Sequence, residues 1–309
     1  MGKSLVLIFH KEEDGPLFEK IIIALKARYT LVSLEQLEQV LSSKKEIKNI
    51  CHISFDDGDH SFYRTVFPVL KKHKVPVSLF VSPDIISSNS NFWFQEMQGY
   101  DEKILKNIVA QQLNIAIGKL NEFPCQSIFK CLPVNKINKA IELYQQQTKC
   151  GRKASANIST EQLKEVVASG LVTAGAHTLN HPVLKNESDA DCKYEIRESL
   201  KKLETLLGHP IRYFAYPNGR PGIDFSEREM NCLREHDVSL AFSTDLDHLC
   251  AHTDRLSIPR MGFARMGLSP SNPLVAFRLN SGKRWFDVTS VGKPSVKDVR
   301  EKISRILHF

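Results

Sequence analysis

Short apolar runs rich in β-branched and aromatic residues alternate along the chain with amphipathic stretches of helical spacing. This alternation is typical of parallel strands joined by helices, because a connection between parallel strands has to cross over the sheet. Six or seven strands are predicted, at residues 5–9, 50–55, 76–81, 172–176, 211–216 and 240–243, with a short one at 256–258. Helices are predicted at residues 33–41, 61–73, 160–169, 188–207 and 226–235. Strands that each lead into a helix favour an α/β fold, and an incomplete (β/α) barrel rather than an open sheet.

One long segment interrupts the alternation. Residues 89–158 contain helical patterns, mainly at 102–118 and 134–147, and no convincing strand. We interpret this segment as a helical insertion between a strand and the next helix, within a single domain of residues 1–309. A chain of 309 residues buries enough surface to fold without disulfides or a structural metal.

The composition is that of a globular protein with reduced thiols. Hydrophobic residues make up 42% of the chain and charged residues 25%, which excludes a disordered or collagen-like chain. The seven cysteines are odd in number and form no C-x-x-C pair, so a reducing compartment is expected. The first apolar run, at residues 5–9, is too short for the core of a secretion signal, and no later stretch approaches ~18 apolar residues. These features predict a cytoplasmic location, with peripheral membrane contact as an open alternative.

The excess positive charge lies at the carboxyl-terminal end. The formal net charge is +7, and residues 255–309 hold eleven basic side chains against three acidic ones. We interpret residues 278–309 as a basic extension that ends in an amphipathic helix over 295–308. We expect this helix to pack on the barrel with a solvated basic face, and the alternative is attraction to an anionic membrane surface or a lipid-linked sugar. Nucleic acid is not an expected partner, because no recognised binding motif accompanies the charge.

Polar clusters follow three of the predicted strands at the point where each strand ends. Asp56 and Asp57 follow the second strand. Because adjacent carboxylates point in different directions, one can bind a cation while the other acts as a base. His177 and His181 follow the fourth strand, and a loop must bring their rings together because Pro182 disfavours a helix there. Taken alone, each cluster is equally typical of an ordinary turn or of solvated loop residues.

The clusters become informative together, because the carboxyl ends of barrel strands meet on one face. The third cluster, at residues 214–219, ends the fifth strand. Asp57, His177 and His181 then form a two-histidine, one-aspartate set with open coordination positions, and imidazoles suit zinc and neighbouring transition metals. With Asp56 beside this set as a base, the pattern predicts metal-assisted hydrolysis.

The same motifs resemble those of the polysaccharide deacetylase family, the NodB-homology domain of carbohydrate esterase family 4. The resemblance rests on residues 54–58, 175–182 and 214–219 and also takes in residues 160–163 and 254–260. It implies a deformed, NodB-like (β/α) barrel with one divalent transition metal, Zn²⁺ first and Co²⁺, Ni²⁺ or Fe²⁺ as alternatives. It also implies hydrolysis of an N-acetyl group on an amino sugar, in a polysaccharide, an oligosaccharide or a biosynthetic intermediate of one.

The resemblance assigns a role to each matching position. Asp57, His177 and His181 would hold the metal, and Asp56 would be the general base. Asn218 stands where the oxyanion-stabilising main-chain N–H of the family is expected, so its backbone rather than its side chain would act.

Three aromatic residues are predicted to contact the substrate. Tyr216 lies beside Asn218 in the third cluster, and Trp93 and Phe94 lie at the mouth of the insertion, where they would stack on a sugar ring. Aromatic residues at such positions are equally typical of a core. Two other functions stay open, a catalytically inactive carbohydrate-binding relative and an amidase acting on a small linear or cyclic amide.

The sequence departs from the family pattern at the arginine that orients the catalytic aspartate. Many members carry this arginine at the position of Ala215, and alanine cannot take its role. Arg260, at the end of another short predicted strand, is the candidate replacement. The alternative is that Arg260 is solvated or faces a phosphate.

A second departure concerns the general acid, which the family supplies as a histidine in a late Leu-x-His motif. His248 and His252 are near the expected place but lack the strand context. The apolar run 5–9 followed by His10 resembles this motif moved to the front of the chain. We therefore predict a circularly permuted barrel with His10 as the general acid, because imidazole gives and regains a proton near neutral pH. His252 is the next candidate.

Overall fold

The fold is a sheet of parallel strands surrounded by helices. The structure, a computed structural model, describes residues 3–43, 48–262 and 295–307. Its strands are β1 (Leu5–Phe9), β2 (Thr30–Leu31), β3 (Ile50–Asp56), β4 (Val77–Val81), β5 (Val172–Ala176), β6 (Tyr213–Ala215), β7 (Leu240–Phe242) and β8 (Met261–Gly262). They lie side by side in the order β7-β6-β5-β4-β3-β1-β8, and the short β2 pairs with β3. Every pairing between these strands is parallel.

The two ends of this sheet meet. Ile258, which lies just before β8, forms a parallel bridge with Phe242 of β7, and its N–H donates to the carbonyl of Ala241 at 2.8 Å. On its other side the segment pairs with β1, where Met261 lies opposite Leu7. The segment ending in β8 therefore contacts both β7 and β1 and closes the sheet into a deformed barrel. The predicted α/β barrel of about seven strands is confirmed.

The strands form because their apolar runs are covered on both faces. All five residues of β1 and of β4 are buried, as parallel strands packed between helices and a barrel interior require. Phe9 of β1 stacks on Phe55 of β3 with ring centroids 5.3 Å apart, and Phe18 of the first helix meets Phe55 edge-on at 5.8 Å. These contacts fix β1 beside β3 and bring the carboxyl ends of both strands to one face.

The helices are α1 (Gly15–Lys26), α2 (Leu34–Ser42), α3 (Phe67–His73), α4 (Pro83–Ser87), α5 (Trp93–Glu96), α6 (Glu102–Leu113), α7 (Cys125–Phe129), α8 (Val134–Thr148), α9 (Thr160–Ala168), α10 (Asp189–Leu207), α11 (Glu227–Glu235) and α12 (Val296–Leu307). Serine side chains cap several of them, and Ser33 and Ser159 each form a capping box with a glutamine three residues on.

Several elements differ from the predictions. The helix α1 was not predicted, although Asp14 caps it. The predicted helix at 61–73 is a π-helical turn, Phe62–Val66, followed by α3, because Pro68 has no N–H to continue the α-helical ladder. The predicted strand at 256–258 is a single bridge at Ile258, because Pro259 has no N–H to continue the pairing into β8.

Helices α5 to α8 lie within the predicted insertion and share a hydrophobic cluster separate from the barrel core. Helix α12 joins this cluster, since Ile303 and Leu307 are buried in it. The carboxyl-terminal helix therefore packs on the insertion rather than on the barrel. Val299 and Ile306 pack against the same cluster, so most of the apolar face contacts the insertion. Residues 278–294 of the predicted basic extension lie outside the described residues.

Among the helices of the described ranges, none is both long enough and apolar enough to cross a bilayer. The seven cysteines are free thiols, and five of them are buried.

A glycine in β5 tests the packing that positions the site. A Cβ added at Gly175 would lie 2.4 Å from the Phe80 ring and 2.9 Å from the carbonyl oxygen of Tyr213. We expect Gly175→Ala to lower the free energy of unfolding by about 1–3 kcal/mol, because the neighbouring strand must move to admit the methyl group. Gly118→Ala is the matched control, since a Cβ there meets nothing within 4 Å. Denaturant titration measures both, and equal stabilities would contradict the close packing of β5.

Candidate active site

The polar side chains that follow the strands lie together at the carboxyl face of the barrel. They line one cavity of about 440 Å³. The predicted site residues on its wall are His10, Asp56, Asp57, Trp93, His177, His181, Asn218 and Arg260. The structure thus brings together residues from both ends of the chain, the middle and the helical insertion.

Asp57, His177 and His181 form a compact group that suits a metal ion. The Asp57 Oδ1 atom lies 3.7 Å from Nε2 of His177 and 3.6 Å from Nε2 of His181. One ligand atom from each residue lies within 4.8 Å of the others, and all three side chains are buried. Asp57 and His181 have φ angles of +71° and +58°, the left-handed region that non-glycine residues adopt where surrounding structure enforces it.

The Asp57 carboxylate fits a metal because one of its buried oxygens lacks another partner. Among the described residues, Asp57 Oδ1 makes no hydrogen bond, and leaving a buried polar atom unpaired costs about 1–3 kcal/mol. Two imidazoles and one carboxylate are the donor set that zinc and neighbouring transition metals accept, with positions left for water and substrate. The residues present therefore fit a divalent transition metal.

Neighbouring groups hold the imidazoles in the metal-binding form. The Nδ1 atom of His177 lies 2.7 Å from the carbonyl oxygen of Ala215, so Nδ1–H donates to it and Nε2 presents its lone pair to the pocket. Burial lowers the pKa of His177 to about 4 and that of His181 well below its ordinary value. Both rings are therefore neutral near pH 7, which is the state that ligates metals.

A buried glutamate shapes the loop between the two histidines. Glu195 of α10 accepts hydrogen bonds from the main-chain N–H groups of Leu179 and Asn180 at 2.9 and 3.0 Å and from the Asn180 amide at 2.8 Å. From the insertion, the indole N–H of Trp93 donates to the carbonyl of His181 at 3.1 Å. These contacts hold His177 and His181 in a loop, as predicted from Pro182.

Asp56 forms a buried, bidentate ion pair with Arg260. The two guanidinium N–H groups donate to Oδ1 and Oδ2 of Asp56 at 2.7 and 2.8 Å, and Nε donates to the Ser243 carbonyl at 2.9 Å. The guanidinium carbon lies 5.5 and 5.8 Å from the ring centroids of Phe80 and Phe242. Arg260 thus contacts the aspartate that the arginine at the Ala215 position would orient in related proteins.

This pair fixes the charge state of the two aspartates. Burial raises the pKa of Asp56, but the positive charge of Arg260 and its hydrogen bonds outweigh this effect and hold the pKa at about 2. Asp56 is therefore ionised at neutral pH. Burial and the adjacent Asp56 charge raise the pKa of Asp57 well above its ordinary value. A divalent cation beside Asp57 would favour its ionised form.

His10 and Asn218 complete the pocket wall. His10 follows β1 directly, so it stands at the carboxyl end of the strand that pairs with β3 and β8. Asn218 has a φ of +58°, and its carbonyl accepts the Thr244 hydroxyl at 2.6 Å. In the described part of the chain, no acceptor contacts the main-chain N–H of Asn218.

Three predicted or alternative residues lie away from the pocket. Tyr216 is buried, donates its hydroxyl to the Leu256 carbonyl at 2.9 Å and stacks on Phe225 at 3.6 Å, so it belongs to the core. His248 and His252 flank Leu249, which bridges to Ser4 at the amino end of β1. Neither histidine lines the cavity, whereas His10 lines it from the carboxyl end of β1.

Several residues of the site escaped sequence analysis. Nothing in the local sequence distinguishes Glu195 from an ordinary helix residue, because its main partners are main-chain groups of the loop at Leu179 and Asn180. Gln126 at the start of α7 and Lys130 just after it line the cavity, and nothing in their local sequence indicates this position. Only the docking of the insertion on the barrel brings these side chains to the pocket.

Comparison with known proteins identifies the class of protein that this barrel and its pocket represent. The sequence matches the polysaccharide deacetylase family over residues 43–118 and 125–241. The chain therefore belongs to the polysaccharide deacetylase family, whose members are carbohydrate deacetylases and thus hydrolases. His10 and Arg260 both lie outside the matched residues. No match was found among the curated proteins.

Solved structures share this fold. IcaB from Ammonifex degensii is 22% identical with a TM-score of 0.60, and the alignment covers 91% of this chain and 98% of that one. The deacetylase PplD from Streptococcus pyogenes, solved with acetate, is 17% identical with a TM-score of 0.58, covering 90% and 97%. A de-N-acetylase from Aggregatibacter actinomycetemcomitans is 17% identical with a TM-score of 0.56, covering 89% and 98%. At these identities the likeness establishes the fold.

The geometry of the metal group predicts a division of labour between the adjacent aspartates. We expect Asp57→Ala, His177→Ala and His181→Ala to lose nearly all bound metal, because each removes one of three ligands. Asp56→Asn is the matched control, and it should retain the metal. Elemental analysis after dialysis against Zn²⁺ measures the metal content. Equal metal loss in Asp56→Asn would show that both aspartates are ligands.

The buried ion pair predicts a large effect on stability. We expect Arg260→Gln to lower the free energy of unfolding by about 3–5 kcal/mol, because it leaves the Asp56 carboxylate buried without its partner. Arg255→Gln is the control in the same segment, since Arg255 pairs with Glu38 at the surface, and such pairs contribute about 0–1 kcal/mol. Denaturant titration in the presence of a chelator keeps metal binding out of the comparison. Similar losses of unfolding free energy in both variants would contradict the expectation that the buried Asp56–Arg260 pair contributes more than the Arg255–Glu38 pair.

Proposed function

We propose that this protein hydrolyses the N-acetyl group of an amino sugar in a polysaccharide, an oligosaccharide or a biosynthetic intermediate of one. The observation that carries the proposal is the open pocket in which a metal-binding group, Asp57, His177 and His181, lies beside an ionised Asp56. The proposed metal is Zn²⁺, with Co²⁺, Ni²⁺ and Fe²⁺ as alternatives that the same donor set accepts. When bound, such a metal supplies a Lewis acid that polarises the acetyl carbonyl and acidifies water.

Asp56 is the proposed general base. Its carboxylate is ionised at neutral pH and is held by two hydrogen bonds to Arg260, so it keeps one orientation toward the pocket. Its Oδ2 atom lies 3.9 Å from Nε2 of His177, which places it beside the metal-binding group. In this position Asp56 would accept the proton of the attacking water. Arg260 is then a positioning residue that acts through Asp56.

Asn218 is the proposed source of oxyanion stabilisation. Attack on the acetyl carbonyl places negative charge on its oxygen, and a preorganised main-chain N–H stabilises that charge without reorganisation. The left-handed backbone of Asn218 and the Thr244 contact to its carbonyl hold this peptide group in place. The N–H is consequently available to a ligand in the cavity.

His10 is the proposed general acid, which protonates the amine as it leaves. It lines the same cavity as Asp56, at the end of the neighbouring strand β1. The pairing of β1 with β8, the last strand described, supports the circularly permuted arrangement, since a closed barrel allows the chain to begin at any strand.

Two other functions are distinguishable by experiment. An inactive carbohydrate-binding relative is expected to lack a ligand or the base, whereas all four residues are present here and adjacent. An amidase would share the same pocket chemistry on a different substrate. A screen of acetate release from acetylated oligosaccharides, nucleotide sugars and simple amides tests the proposal, and release from simple amides alone would contradict it.

The role of His10 predicts a dependence on the leaving group. We expect His10→Ala to keep the fold and the metal yet lower amide turnover by roughly 10²- to 10⁴-fold, the usual contribution of an acid–base group. The loss should be smaller for an aryl acetate, because its leaving group needs less protonation. His252→Ala is the matched control, since His252 is exposed and does not line the cavity. Near wild-type amide turnover in His10→Ala would contradict the assignment.

A further inference from the structure

Glu12 is a wall residue of the active-site cavity that the proposed chemistry does not use. It lies in the segment between β1 and α1, two residues after His10, and it lines the same cavity as His10 and Asp56. Its main-chain N–H donates to the hydroxyl of Ser61 at 3.0 Å, which ties this segment to the residues after β3. The backbone of Glu12 is therefore held at the cavity wall by a contact in which its carboxylate takes no part.

The carboxylate of Glu12 differs from those of the two acidic residues that follow it. Glu13 pairs with Lys11 at 2.8 Å, and Asp14 accepts from the main-chain N–H of Leu17 at 2.9 Å. In the part of the chain that the structure describes, no hydrogen bond and no ion pair reaches the Glu12 carboxylate. Its hydrogen-bonding capacity is therefore available to a ligand.

The surroundings of Glu12 disfavour its negative charge. The residue is only partly exposed, so its carboxylate has lost part of its contact with water. This burial raises the pKa of Glu12 above its ordinary value, and the negative charge of Asp14 raises it further. No positively charged side chain among the described residues offsets this shift. A cationic group on a ligand would supply the charge that the protein does not.

The other carboxylates on the cavity wall already have roles. The described lining residues include three carboxylates, those of Glu12, Asp56 and Asp57. Asp56 forms the ion pair with Arg260, and Asp57 belongs to the metal-binding group. Glu12 is the one that remains to contact a part of the substrate other than the reacting acetamide.

A protonated amine fits this carboxylate better than a neutral group does. A sugar hydroxyl donates one hydrogen bond and leaves the negative charge in place, whereas an ammonium group supplies hydrogen bonds together with the opposite charge. The proposed reaction itself converts an acetamide into an amine. A substrate with several acetamides therefore acquires protonated amines beside acetamides that are still intact.

We propose that Glu12 binds a protonated amine on the sugar next to the reacting one, so that the enzyme prefers partly deacetylated chains over neutral ones. This inference rests on the proposed function and specifies its substrate class. A charge-assisted hydrogen bond in a partly exposed site corresponds to roughly a 5- to 50-fold preference. The preference should shrink as ionic strength rises, because salt screens exposed charges.

Disaccharides with a single acetamide test the proposal on the Zn²⁺-loaded enzyme. In the first pair, N-acetylglucosamine is the non-reducing sugar, linked to glucosamine or to glucose. In the second pair it is the reducing sugar and carries glucosamine or glucose. The members of each pair differ only in one amino or hydroxyl group, and the two pairs distinguish the two possible neighbours of the reacting sugar.

Acetate release, measured below neutral pH so that the amine is protonated, gives kcat/KM for each disaccharide. We expect the amine-bearing member of at least one pair to be preferred, and Glu12→Gln to remove the preference. Glu235→Gln is the matched control, because it removes the same charge from an exposed position outside the cavity, and it should leave the preference unchanged.

A binding measurement separates this inference from the proposed function. Calorimetric titration of the Zn²⁺-loaded Asp56→Asn protein, with and without Glu12→Gln, compares the Kd values within each pair without turnover. Failure to release acetate from any of the four sugars contradicts the proposed function, whereas tighter binding of an amine-bearing sugar that depends on Glu12 still supports the amine subsite. Equal Kd values within both pairs would overturn the subsite. A preference that persists in Glu12→Gln would also overturn it, because the amine would then bind elsewhere, for example at the metal.

Discussion

A buried ion pair between Asp56 and Arg260 joins the architecture of this protein to its chemistry. Asp56 ends β3, and Arg260 lies between the Ile258 bridge to β7 and the strand β8 that pairs with β1. Burying two charges costs several kcal/mol per ion unless hydrogen bonds and Coulomb attraction compensate. Here the bidentate geometry, the Ser243 carbonyl and the Ser54 hydroxyl, 3.2 Å from Arg260, satisfy the guanidinium. The same ion pair thus links the strands that close the barrel and orients the proposed base.

The same electrostatics favour a cation in the pocket. With Asp56 held ionised by Arg260, the adjacent Asp57 is disfavoured as a second bare carboxylate in a buried site. The neutral imidazoles of His177 and His181 cannot neutralise it. A divalent metal at this point would supply the missing charge and a partner for the buried Asp57 Oδ1 atom. Surrounding residues therefore position the site. Glu195 accepts hydrogen bonds from the loop between the two histidines, and the Ala215 carbonyl accepts one from the His177 ring.

The helical insertion is part of the pocket and not an independent unit beside it. Trp93 supports the His181 loop from the insertion, and Lys130 reaches the wall of the active-site cavity. Helix α12 packs on the insertion through Ile303 and Leu307, and its Arg300 pairs with Asp224 from the loop segment after β6. Segments distant in sequence therefore meet at one edge of the active site. The basic carboxyl-terminal region reaches this edge through Arg300, whose charge is paired with that of Asp224.

The sequence by itself determined the barrel strands and the polar residues that follow them. Fully buried parallel strands leave continuous apolar runs, and the residues after them must lie on the carboxyl face, so Asp56, Asp57, His177 and His181 could be placed together without coordinates. Helix α1 also carried a local signal, an aspartate cap followed by apolar residues at helical spacing, that the predictions overlooked. These features depend on neighbours in the chain, which is why sequence patterns carry them.

Only the tertiary structure decided which distant side chains meet. Arg260 pairs with a residue 204 positions earlier, and local sequence left it equally compatible with a solvated arginine. Tyr216 follows a strand just as Asn218 does, yet it turns into the core because Phe225 and Leu256 provide a stacking surface and an acceptor there. The terminal helix had an amphipathic pattern that suited several surfaces, and the exposed apolar side of the insertion selected one. Contacts of this kind depend on how separate elements dock. The residue periodicity of one element does not indicate which other element it packs against.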